Sequence, residues 1–104
     1  MADRMIVEVE QELRGLIPGF MAHKRDDLMM VLSAVPERDF ASIKRIAHRM
    51  KGEGVSYGFN TIADIGRELE AAAASRDDGA AAALARHLLA YLDRVEVVFN
   101  ESPG

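Results

Sequence analysis

Apolar positions recur at helical spacing along most of the chain, and short clusters of Pro, Gly and Asp interrupt them. Ile6, Val9, Leu13, Leu16 and Ile17 fit a helix, but Gly15 and Pro18-Gly19 break it, so a short first helix within residues 1–16 and then a joint are expected. Pro18 suits a first helical turn. The segment after it carries Phe20, Met21, Leu28, Val31, Leu32 and Val35 on one side, with Lys24, Arg25, Asp26 and Asp27 on or near the other. Pro36 should stop this helix, because the residue before a proline is pushed out of the α region. Asp39 is a good N-cap for the next helix, expected from about Phe40 to Tyr57, and Gly58 should end it in the left-handed conformation. Asn60 is expected to cap the following helix, with the stripe Ile62, Ile65, Gly66, Leu69, Ala72 and Ala73, ending near Ser75. The Asp77-Asp78-Gly79 turn opens a last helix with the stripe Leu84, Leu88, Tyr91, Leu92, Val95, Val98 and Phe99, and residues 100–104 read as a frayed tail. Short loops make consecutive helices antiparallel. The prediction is one all-α domain over residues 1–104, an antiparallel four-helix bundle with a short additional N-terminal helix and a core within about residues 17–99.

Composition supports this class. Hydrophobic residues make up 49% and aromatics 6%, with no Trp and three Pro, which favours packed helices. At 104 residues one core is the limit. The Ala-rich runs at 71–74 and 80–83 read as close helix packing rather than low complexity. No Cys is present, so neither a disulfide framework nor a thiolate metal site can form. No segment is both long and apolar enough to span a membrane, and the start lacks the basic and apolar regions of a signal peptide. A soluble, cytoplasmic, monomeric and free-standing chain is expected. The net charge of -4 gives no general attraction to nucleic acid or anionic lipid, so any anion must be met by a local cluster of cations.

That cluster lies in the helix expected from about Phe40 to Tyr57. Ile43, Ile46, Ala47, Met50, Gly54 and Tyr57 form its apolar stripe, and at about 100° per residue His48 sits roughly 140° from the stripe centre, facing solvent. Lys51 lies one turn on at the edge of that face, Lys44 one turn back, and Arg45 and Arg49 nearby. Gly52 and Gly54 are both costly inside a helix, at about 0.5–1 kcal/mol each relative to Ala. Close approach explains both: Gly52 faces outward, where a side chain would obstruct a partner, and Gly54 faces inward, where a neighbouring helix could pack. An unperturbed imidazole is largely neutral near pH 7, so a ring nitrogen can attack phosphorus while adjacent cations offset the charge of the moving group.

His48-x-x-Lys51-Gly52, followed by Gly58 and by Leu69-Glu70 on the next helix, resembles the signature of histidine-containing phosphotransfer (HPt) domains. The motif covers about the middle third of the chain, and the bundle pattern fits the rest. The resemblance implies that His48 accepts a phosphoryl group, Lys51 stabilises it, Gly52 leaves an opening for a response-regulator receiver, and Gly58 turns the chain between the two central helices. Glu70 matches a carboxylate that orients the histidine in the chemotaxis-kinase relatives; a pairing with Lys51 stands beside that role as an equal alternative. Glu68 should point outward. Lys44, Arg45, Arg49, Gly52 and Val55 are expected to meet the partner, a receiver domain or a sensor histidine kinase. No cofactor is expected on this chain, Mg²⁺ belonging to the receiver. Glu53 departs from the family's small residue after the glycine and should point away from His48. His23 and His87 match no family position and are read as surface histidines without a ligand-spaced carboxylate.

An ATP-using enzyme would need a nucleotide site, and neither a phosphate-binding Gly-rich loop nor an α/β pattern is present. A di-iron bundle would need Glu-x-x-His on two helices, and no histidine has Glu three positions before it. The remaining alternative is a module of the same fold that binds and regulates receivers without carrying phosphate.

Overall fold

The computed structural model describes residues 5–100. In chain order they form strand β1 (Met5–Glu10), a 3-10 turn (Gln11–Leu16), helices α1 (Ile17–Ala34), α2 (Phe40–Tyr57), α3 (Asn60–Ala74) and α4 (Asp78–Arg94), and strand β2 (Val95–Asn100). The four helices make the all-α bundle expected from the pattern. Local chemistry explains most boundaries. Pro18 lies in the first turn of α1. Asp39 caps α2 by accepting from the Ser42 backbone N–H at 3.2 Å and its hydroxyl at 2.6 Å. Asp77 caps α4 by accepting from the Ala80 N–H at 3.0 Å. Gly58 ends α2 with φ 82°, its N–H and that of Phe59 returning to the carbonyls of Val55 and Gly54.

The chain's two ends depart from the expectation. The short N-terminal helix is instead β1 and the 3-10 turn, and the last helix stops at Arg94, so Val95, Val98 and Phe99 belong to β2 rather than to its stripe. β1 and β2 pair in parallel, Met5 beside Val95 through Glu10 beside Asn100. Val7 and Val9 alternate with exposed Ile6, Glu8 and Glu10, and burial in β2 alternates likewise. Period-2 alternation with β-branched residues favours strands over the helical spacing that Ile6, Val9 and Leu13 also fit. The expected frayed tail begins in β2, where Asn100 is the last strand residue; its residues 101–104 lie outside the described ones. Asn60 is not a cap but the first residue of α3, preceded by buried Phe59, and α3 has no side-chain N-cap.

α1 also differs. Lys24 and Asp27, expected on or near the polar side, are 0% and 2% exposed. Lys24 Nζ donates to Asp27 Oδ2 at 2.7 Å and to Glu53 Oε1, and Arg49 donates to Asp27 Oδ1 at 2.9 Å. Two cations and two carboxylates thus neutralise one another between α1 and α2, which is what makes such burial tolerable.

The closest approach is between α2 and α3. A Cβ at Gly54 would stand 2.6 Å from the Ala63 backbone nitrogen, and one at Gly66 would stand 2.9 Å from that of Lys51. Two glycines therefore let the helices meet almost backbone to backbone. Because the helices are antiparallel, one turn forward from Gly66 on α3, at Glu70, is about one turn back from Lys51 on α2, at His48.

Candidate functional site

That register brings three side chains together. Glu70 Oε2 lies 3.0 Å from His48 Nδ1 and Glu70 Oε1 lies 3.0 Å from Lys51 Nζ, so one carboxylate bridges imidazole and ammonium. The two pairings weighed from sequence as alternatives coexist. A carboxylate only accepts, so the first bond puts the proton on Nδ1 and leaves the lone pair on Nε2. The His48 side chain is 70% exposed, against 32% for Lys51 and 23% for Glu70. The ring is held from one side and open on the other. Glu68 is exposed.

The hydrogen bond from Lys51 is the main cause that holds the Glu70 carboxyl below its ordinary value of 4.5; burial opposes it, and the bond to His48 adds to the lowering. A carboxyl depressed on folding contributes stability above its unfolded pKa, and that contribution is lost as pH falls through the folded value. Glu70→Gln should therefore melt below the wild type near about pH 6, and the gap should close as pH falls below the ordinary carboxylate range. Thermal melts across that range check this; a gap independent of pH would show that the charge of Glu70 is not what stabilises.

The outward face of α2 holds the other residues singled out from sequence. Lys44, Arg45, His48, Gly52 and Val55 are exposed, and nothing lies within 4 Å of a Cβ built on Gly52. Arg49 is half-exposed but turns to α1, where its guanidinium is bound to Asp27, so it does not join the cations around the imidazole. Glu53 also faces α1, paired with Lys24.

His87 is exposed, as is His23, but the expectation that His23 lacks a ligand-spaced carboxylate is corrected by Asp27 one turn on, 4.0 Å away. His23, Asp27 and Glu53 place one ligand atom each within 4.8 Å of one another. Lys24 and Arg49 already neutralise both carboxylates, so the arrangement is an ion-pair network rather than a vacant cation site. Sequence reasoning missed this network because each member is polar; the one-turn spacings Lys24/Asp27, His23/Asp27 and Arg49/Glu53 were its signals.

The site thus offers a nucleophilic ring nitrogen, a carboxylate that fixes its tautomer, a lysine at the same carboxylate and an unobstructed turn beside them. No helix among the described residues is long and apolar enough to cross a membrane. A family model described as Hpt domain matches residues 4–97. No curated protein and no solved structure matches the chain.

Proposed function

The chain belongs to the Hpt domain family, whose members act in histidine phosphotransfer in two-component systems, and on that premise we propose that His48 carries a phosphoryl group between receiver domains in the cytoplasm. The single observation that carries this is the exposed His48 ring bound through Nδ1 to Glu70, with Lys51 on the carboxylate's other oxygen. In this reaction the Nε2 lone pair attacks the phosphorus of a receiver's aspartyl phosphate, the bond from phosphorus to the aspartyl oxygen breaks, and the receiver recovers its carboxylate. The ring becomes a phosphoimidazolium whose Nδ1 proton stays on the hydrogen bond to Glu70, which offsets the new positive charge. Lys51, exchanging Glu70 for the incoming oxygens, offsets negative charge on the phosphoryl group, and Mg²⁺ held by the receiver does so from the other side. Gly52 gives the receiver's loops room to bring phosphorus within bonding distance. Reversal of the same step passes the group to a second receiver. A sensor histidine kinase is a further donor of the same chemistry. The chain supplies no ATP chemistry of its own in this scheme.

The experiment is incubation with a phosphorylated receiver and Mg²⁺, scored by transfer of the label. Lys51→Ala should slow the transfer step on the order of tenfold while weakening receiver binding far less, because the ammonium acts on charge that moves during the step. The pair it makes with Glu70 is partly exposed, so stability should fall by less than about 1 kcal/mol. A large drop in melting temperature would show that Lys51 is structural instead.

A further inference from the structure

The outward face of α2 is basic at its N-terminal end and uncharged at its C-terminal end, where β1 brings Glu8 and Glu10 alongside. Lys44 and Arg45 stand about one turn before His48, while Val55, two turns after it, is 64% exposed. At about 1.5 Å per residue Val55 lies about 10 Å along the axis from His48, and Lys44 about 6 Å the other way. Val55 also lines a hollow of about 280 Å³ between the last turn of α2 and the N-terminal strand with its 3-10 turn. Val9, Leu13, Val55 and Tyr57 give the hollow an apolar patch within a largely polar lining, of which Glu8 and Glu10 are the exposed acidic residues. The β1 strand, which replaces the expected N-terminal helix, is what sets these carboxylates beside the docking face.

Building on the role proposed for His48, we infer that this hollow is a second anchor for the receiver and takes an aliphatic side chain flanked by Lys or Arg on the receiver's surface. The dimensions require contact. A standard interface covers roughly 800 Å² per partner, a disc of about 16 Å radius, so a receiver centred on His48 reaches past Val55 to the hollow. The charges fix orientation. A receiver docked the right way round sets acidic groups against Lys44 and Arg45 and basic groups against Glu8 and Glu10, and the reversed pose places like charges together at both ends. Selection among receivers of one fold then rests on the basic, apolar patch that answers the hollow.

The test uses the full chain and the receiver that labels it fastest among the cell's own phosphorylated receivers, with initial transfer rates read against receiver concentration. Glu8→Lys combined with Glu10→Lys should raise KM about tenfold at low salt, with the effect shrinking as salt rises, as expected for steering by exposed charges. Val55→Ser, which leaves the strand untouched, should raise KM several-fold at any salt. The changes should fall on KM rather than kcat, because the altered groups are remote from the transferring phosphorus. A wild-type KM in either variant overturns the second anchor while leaving phosphate transfer to His48 in place. A fall in kcat as large as the rise in KM overturns it too, since it would report distortion of the site. If no receiver labels the wild type at all, the role proposed for His48 fails instead.

Discussion

Replacing His48 with Gln should abolish labelling by a phosphorylated receiver in the presence of Mg²⁺, while the wild type becomes labelled and ATP alone labels neither. The adduct on the wild type should be acid-labile and base-stable, as a phosphoramidate is. The structural cost of the change is small because the side chain is 70% exposed, and exposed substitutions usually shift stability by within about 0.5 kcal/mol. Glutamine keeps a polar side chain that can still meet Glu70, yet it has no nucleophilic nitrogen, since the amide lone pair is delocalised into the carbonyl. The loss should therefore fall on chemistry rather than on folding or docking. Intact protein mass, a helical circular dichroism spectrum and receiver affinity, taken together, separate these. Label on His48→Gln at the wild-type rate would move the acceptor elsewhere, and a wild type that binds receivers without accepting label would make the chain a docking module of the same fold.

How much of this could be seen in the sequence differs by element. α2 was legible at both ends, because Asp39 and Gly58 act through local backbone chemistry that residue type alone specifies. The outward placement of His48 followed from helical periodicity in the same way. The termini were not legible because Val95, Val98 and Phe99 fit helical spacing while Val95, Val97 and Phe99 fit a strand, and the pairing with residues about ninety positions earlier that stabilises the strand is a long-range fact. A charge is costly to bury alone, so the sequence pattern assigns Lys24 and Asp27 to or near a solvated face. Each is buried with its partner, and Glu53 and Arg49, which complete the set, lie on another helix. Glu70 was visible as a carboxylate on the correct face, but its bridging position depends on the closeness of α2 and α3 that Gly54 and Gly66 permit.

Gly52 and Gly54, two residues apart on one helix, should respond in opposite ways to the same substitution. A Cβ at Gly54 would stand 2.6 Å from the nitrogen and 3.0 Å from the Cα of Ala63, with the Phe59 carbonyl oxygen also at 3.0 Å. All three are backbone atoms that cannot rotate aside, so α2 and α3 must separate. The gain in helix propensity, about 1 kcal/mol, is then set against overpacking of about 1–3 kcal/mol or more, and Gly54→Ala should be destabilising. Gly54→Val should be worse. Because Glu70 reaches His48 and Lys51 only across that narrow gap, Gly54→Ala should also slow transfer in whatever fraction remains folded. Gly52 has nothing within 4 Å of its Cβ direction, so Gly52→Ala should stabilise the isolated chain by up to about 1 kcal/mol through the unfolded-state entropy it removes. Docking should move the other way: Gly52→Gln places a long side chain one turn from the imidazole on the face the receiver must cover, and transfer should fall at least about tenfold, with Ala intermediate. Thermal melts, receiver affinity and transfer rates for the four variants decide the matter. If Gly52→Gln binds and transfers like the wild type, this glycine is no clearance for a partner, and if Gly54→Ala raises the melting temperature, the contact between α2 and α3 is looser than the backbone distances require.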